Sequence, residues 1–151
     1  MAAMEPFTGT EALAFSLERS LGAFRDLEGI VKRMGDVQSV ARVDANTLKL
    51  VVRPGFSFIR GTMRTTMSCV ETAPQTLTLV AKSEGIGMGM TVESEMRFSA
   101  DGAEATKVDW TASVTERKGL VSAVGVSLIK AAAEKVLKDG WGAVRDHLNA
   151  S

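Results

Sequence analysis

The chain has 151 residues, 45% of them hydrophobic, with 18 acidic and 18 basic side chains and a formal net charge of zero. That length suits a single domain around one core, and the balanced charge leaves no electrostatic footprint for a nucleic acid. One cysteine, Cys69, excludes an internal disulfide framework and fits a reducing cytoplasm.

No apolar run reaches membrane-spanning length, and Met1–Glu5 lacks a charged region leading into an apolar stretch. Neither a transmembrane helix nor a signal peptide is therefore expected. Low-complexity segments and internal repeats are absent, so residues 1–151 read as one domain.

In chain order, Thr8–Leu17 reads as a strand, because Leu13, Phe15 and Leu17 alternate. Ser20–Phe24 and Asp26–Met34 read as two short helices, Asp26 capping the second and Gly35 stopping it. Val37–Asp44 then reads as a strand with Val37, Ala41 and Val43 on one side.

Thr47–Arg53 puts Leu48, Leu50 and Val52 on one face, and Ser57–Glu71 does the same with Ile59, Met63, Met67 and Cys69. Gln75–Lys82 offers Leu77, Leu79 and Ala81. Met88–Ser99 sets Met88, Met90, Val92, Met96 and Phe98 against Thr91, Glu93, Glu95 and Arg97. Ala105–Glu116 sets Val108, Trp110, Ala112 and Val114 against Lys107, Asp109, Thr111 and Thr115. A period of two with one polar face means a sheet buried on one side, which favours antiparallel pairing. Asp44-Ala45-Asn46, Arg53-Pro54-Gly55, Thr72-Ala73-Pro74-Gln75 and Asp101-Gly102 supply turns at hairpin spacing.

From Gly119 the period changes to three and four. Val121, Val124, Leu128, Ile129, Ala132, Val136, Leu137, Trp141, Val144 and Leu148 form one stripe of a helix over Leu120–Leu148. At 1.5 Å per residue it would be about 43 Å long, enough to cross the sheet. Gly140 and Gly142 weaken it beside Trp141 by about 1 kcal/mol each relative to Ala. One helix cannot fill the hollow of a curved sheet, so a cavity or large side chains must occupy the gap.

Chemistry-bearing clusters are scarce. The one histidine, His147, lies near the end of the last helix, and the chain has no tyrosine. One His and one Cys cannot supply a metal site. No cofactor motif emerges either. Cys69 reads as a buried structural thiol, and no serine sits in a nucleophile elbow. Glu93, Glu95 and Asp109 fall on polar faces, where pairing with Arg97 or Lys107 in water is the ordinary reading and an acid/base pair the sharper one. Gly85-Ile86-Gly87-Met88-Gly89 lacks the Lys and Ser/Thr of a phosphate loop and leads into a strand, so it reads as a hairpin mouth.

Five of the eight methionines, Met63, Met67, Met88, Met90 and Met96, fall on inward strand positions. Methionine fills irregular core space, but together these five describe a soft, adaptable apolar lining.

The strand block, the Pro-Gly turn before Phe58-Ile59-Arg60-Gly61-Thr62, the Thr72–Gln75 turn and the Gly-rich lead into the next strand recur in a known family. With the long final helix, they resemble the carbon monoxide dehydrogenase G-subunit family of the START-like (SRPBCC) helix-grip superfamily. Phe24–Val43, with Arg25-Asp26-Leu27-Glu28-Gly29-Ile30 before Met34-Gly35-Asp36-Val37, resembles that family's two short helices and second strand. The likeness runs over residues 7–148. Two departures stand near the expected cavity mouth: Gly35-Asp36 where the family commonly has Pro-Gly, and Leu21-Gly22-Ala23 where it often has an aromatic residue. Ligand identity therefore does not carry across.

The resemblance implies an α+β helix-grip fold: a curved antiparallel sheet of six to seven strands around a long C-terminal helix, with two short helices after the first strand. It implies a hydrophobic ligand, lipid or quinone-like, and an accessory role beside a molybdenum hydroxylase or at the inner face of a membrane. No catalytic motif comes with it. The expected lining is Ile59, Met63, Met67, Leu79, Met88, Met90, Met96 and Trp110, closed by Val124, Leu128 and Ala132 of the helix. Two other readings compete. Polyketide cyclases and hydratases share the superfamily fold, although the missing tyrosine and peripheral His147 count against catalysis. The third is an assembly factor that docks a partner through an exposed apolar patch.

Overall fold

The structure is a computed structural model, and it describes residues 5–53, 61–119 and 125–150. Strand β1 (Phe7–Leu13) leads into α1 (Leu17–Ala23), a 3-10 turn (Phe24–Asp26) and α2 (Leu27–Val31). Then come β2 (Val37–Asp44), β3 (Thr47–Val52), β4 (Met63–Ala73), β5 (Thr76–Gly85), β6 (Met88–Ala100) and β7 (Thr106–Gly119), followed by α3 (Val126–Ala150). The strands form one seven-stranded sheet in the order β1-β7-β6-β5-β4-β3-β2. Every neighbouring pair is antiparallel. This is the helix-grip arrangement that alternation and the resemblance predict.

Helix α3 reaches both edges of the sheet. Arg145 pairs with Glu11 of β1 at 3.0 Å, while Lys135 pairs with Asp36, just before β2, at 3.9 Å. Those two α3 residues are separated by about 15 Å of helix, whereas a flat seven-stranded sheet would be about 29 Å wide. A sheet curled around its helix satisfies both contacts.

Several local expectations are corrected. The first strand ends at Leu13, not Leu17, because Ser16 accepts a hydrogen bond from the Arg19 amide (3.2 Å) and starts α1. Asp26 caps α2 as expected, accepting from the Gly29 amide at 3.2 Å. The helix stops at Val31, however, so Gly35 is not its terminator. In β2, Val40 and Arg42 lie opposite Leu50 and Leu48 and share their face, so Ala41 and Val43 point outward. Bulges at Val37/Ser39 and Arg42/Asp44 shift the alternation that a plain reading assumes.

Helix α3 buries Ile129, Trp141, Ala143, Val144 and Leu148. Leu128 and Val136, assigned to the same stripe, are 51% and 46% exposed. Each lies one residue before an inward position, about 100° round the helix, so the apolar stripe is narrower than the sequence implies. The Pro54-Gly55 turn, the start of the predicted strand over residues 57–60 and the predicted helical residues 120–124 lie outside the described residues.

The core gathers where α1, α2 and the end of α3 meet the sheet. Phe24 packs edge-on against Phe98 (5.6 Å between ring centroids) and Trp141 (6.1 Å). Leu13, Val31 and Val108 are sealed around them. Ser20 and Thr106, also buried, are satisfied: their hydroxyls lie 3.2 Å apart, and both are within hydrogen-bond distance of the Phe15 carbonyl.

Two turns carry backbone that side chains rarely adopt. Ile86 and Gly87 both have positive φ (57° and 73°), giving a two-residue primed turn between the paired residues Gly85 and Met88. The glycine-rich segment is thus a tight hairpin, consistent with the expectation and unlike a phosphate loop. In the β4–β5 turn Gln75 holds φ 59° after Pro74, a position that favours glycine.

Candidate functional site

Register sorts the inward-facing side chains into rows across the sheet. At the end nearest the Ile86 turn, Met63 of β4 and Met88 of β6 are buried. Near the short helices, Leu77 and Met96 are buried beside Phe98 and Val108. Between them runs the row Met67–Ala81–Val92–Val114, one residue from each of four neighbouring strands. All four are only half-buried, as are Leu79, Ser94 and Met90 in adjoining rows. The concave face is thus buried at its two ends and half-buried in its middle. This band is apolar apart from Ser94, the Thr65–Ser83 hydroxyl pair at 2.8 Å and half-buried Arg117, which lies opposite Met90.

Trp110 faces the same side, opposite Met96 on β6 and Gly9 on β1. Its indole lies over Gly9, and Nε1 is buried with no hydrogen-bond partner among the described residues. A buried donor left without an acceptor is uncommon and costs about 1–3 kcal/mol.

A concavity of about 590 Å³ opens at the short-helix end. Leu21, Phe24 and Leu27 form one wall, and Leu48, Cys69 and Leu77 form the other. Arg25, Arg42, Asn46 and Glu71 stand around it. Met67 and Leu79 are the next inward positions on the strands that carry Cys69 and Leu77, so this cleft adjoins the half-buried row. Burial pushes the Cys69 thiol up to about 11 from 9.0, which keeps it protonated and unreactive.

The predicted lining divides into four groups. Met63, Met88 and Met96 are buried and close the ends of the concave face. Met67, Leu79 and Met90 lie in or beside the middle row and stay half-buried; Trp110, in the Met96 row toward β1, and Ala132 of α3 are half-buried too. Leu128 is exposed, as its place on the helix requires. Ile59 and Val124 lie outside the described residues. Sequence reasoning missed Leu21, Phe24, Leu27 and Arg42, because these reach the cleft only through the crossing helices and the β2 bulges. The one signal available was Leu21-Gly22-Ala23, a departure from the family pattern that does border the cleft.

The carboxylates weighed for acid/base chemistry and the histidine sit elsewhere. Glu93 and Glu95 are exposed on the convex face, where Arg97 pairs with Glu95 at 3.5 Å. Asp109, on that face too, accepts from Thr10 at 2.9 Å and pairs with Lys107 at 3.9 Å. His147 lies 3.5 Å from Asp26, at the junction of α3 and α2. Among the described residues no three His, Cys, Asp or Glu side chains are grouped to hold a metal ion. No described helix is long and apolar enough to cross a membrane.

The sequence profile of CoxG, the G-subunit of carbon monoxide dehydrogenase, matches residues 9–149. The chain belongs to the CoxG family. Solved structures share its fold at low identity. A conserved protein from Geobacillus kaustophilus superposes with a TM-score of 0.86 at 18% identity, covering 97% of both chains. A START superfamily protein from Mycobacterium smegmatis gives 0.73 at 16% identity, covering 96% of this chain and 97% of that one. The Zhui aromatase/cyclase from Streptomyces sp. R1128 gives 0.70 at 14% identity, over 96% and 93% respectively. At these identities the likeness concerns the fold alone. Comparison with curated proteins finds none that matches.

Proposed function

We propose that this CoxG family member binds a hydrophobic small molecule, lipid or quinone-like, in the hollow between the concave sheet face and α3. The half-buried row Met67–Ala81–Val92–Val114 carries the reading, because apolar positions in mid-sheet are normally covered. A flexible ligand chain would complete that burial at about 25 cal/mol per Å² of apolar surface. Thioether side chains at Met63, Met67, Met88, Met90 and Met96 adjust to such a chain without a fixed template. The Trp110 indole N–H, partnerless among the described residues and on the same face, is a donor near the hollow.

Family membership supports the wider role: a cytoplasmic accessory or recruitment factor beside a molybdenum hydroxylase at the inner membrane face. Co-purification with such a hydroxylase, and flotation with vesicles, would test that part separately.

The ligand itself is tested by organic extraction of the purified protein with mass spectrometry of the extract, and by uptake of the neutral apolar fluorophore Nile red. A stoichiometric apolar compound and saturable Nile red binding are expected. An empty extract together with no uptake would overturn the reading.

A further inference from the structure

The cleft beside the short helices carries a charge pattern that a purely apolar ligand leaves unused. Arg25, on the 3-10 turn, and Arg42, on the inward face of β2, both border it. Among the described residues neither guanidinium has an ion-pair or hydrogen-bond partner, in contrast to Arg97 and Arg145, which are paired. The two come from elements far apart in sequence. Both line the cleft walled by Leu21, Phe24, Leu48 and Leu77.

Among the described residues, Glu71 is the one acidic side chain lining the cleft. It sits in the Leu77 row of β4, whereas Arg42 shares a row with Leu48 and Met67. Four residues of strand separate the two rows, about 13 Å, so Glu71 does not neutralise Arg42. The lining thus holds two cations and one anion, the anion set away from Arg42, over an apolar floor.

We infer that the cleft seats the head of an anionic amphiphile, a carboxylate or phosphate held between Arg25 and Arg42, while its apolar chain runs past Cys69 toward Met67 and Leu79. The inference rests on the hydrophobic-ligand reading and narrows it to a ligand class. Arginine suits the task because its planar fork of donors matches the paired oxygens of both groups. A volume of about 590 Å³ lies within the about 300–1,000 Å³ typical of small-molecule sites. The headgroup stays at the mouth, where both arginines remain wet, so no charge has to be buried.

Three amphiphiles of equal chain length test it: decanoate, decyl phosphate and decanol, each competing with Nile red. Both anions should displace the dye at about tenfold lower concentration than the alcohol, which corresponds to about 1.4 kcal/mol. Whichever anion displaces it at the lower concentration identifies the source, a free fatty acid or a phosphate-headed lipid. Arg25→Gln with Arg42→Gln should abolish the anion advantage while leaving decanol displacement unchanged. Both residues are exposed, so the double variant folds, and an unaltered urea midpoint confirms it.

Equal displacement by all three compounds would overturn the inference and leave the hydrophobic-ligand reading standing. An anion advantage that survives both substitutions would overturn it too. Absence of any Nile red uptake together with an empty organic extract would remove both readings.

Discussion

The indole of Trp110 occupies the space that a side chain at Gly9 would need. A Cβ built on Gly9 would collide with Cζ2 and Cε2 of Trp110, and these residues face each other across the β1–β7 ladder. The edge strand therefore closes on β7 only because position 9 carries no side chain. Gly9→Ala should destabilise the protein by about 1–3 kcal/mol, the usual cost of overpacking. Urea denaturation reads the loss, and Trp110→Ala in the same chain should cancel most of it. An undiminished cost in the double variant would mean that Gly9 serves backbone conformation instead.

Filling the proposed hollow is a more direct probe. Ala81 stands at the centre of the half-buried row. Inserting a large side chain into a packed interior costs about 1–3 kcal/mol, but Ala81→Phe should cost under about 1 kcal/mol because space awaits the ring. The same substitution should cut Nile red uptake severalfold. A stability loss beyond about 3 kcal/mol would show that the centre of the sheet is already full.

The Cys69 thiol offers a pH-dependent readout. Its value is raised from 9.0 to about 11 because burial disfavours the thiolate. The native chain holds this proton more tightly than the unfolded chain does. The stability it contributes is therefore complete below pH 9.0 and lost as pH rises through about 11. Alkylation by iodoacetamide at about pH 8 should run at least tenfold slower than in urea-unfolded protein. The fall in urea midpoint between pH 9.0 and about 11 should be shallower in Cys69→Ala than in the parent chain.

Gly140 and Gly142 flank buried Trp141 within α3, and a Cβ at either would meet nothing within 4 Å. Each Gly→Ala substitution should therefore stabilise by about 1 kcal/mol through helix propensity alone. For a domain of this size that is about 2–4 °C in melting temperature. A lowered melting temperature would indicate that the helix depends on the freedom of these two residues.

Much of this molecule is written in short-range pattern. Alternation at Met88–Phe98 and Val108–Val114 determined strand identity, inward face and antiparallel pairing, because a pleated strand exposes opposite sides at every step. The Asp26 cap and the hairpin at Ile86-Gly87 were equally legible, since each depends on residues within a few positions. Leu128 and Val136 were not. Both are apolar at plausible spacing, and only the rotation of α3 against the sheet separates them from Ile129 and Leu137.

The cleft lay further out of reach. Arg42 turns inward because bulges shift the β2 register, and Phe24 meets Leu48 and Cys69 only after the chain crosses from one edge of the sheet to the other. The elements, their order and their apolar faces were readable from residues alone, since all of them follow from local geometry. Which inward residues end up buried and which half-buried is settled only in three dimensions, because that depends on how the curled sheet, the short helices and α3 come together.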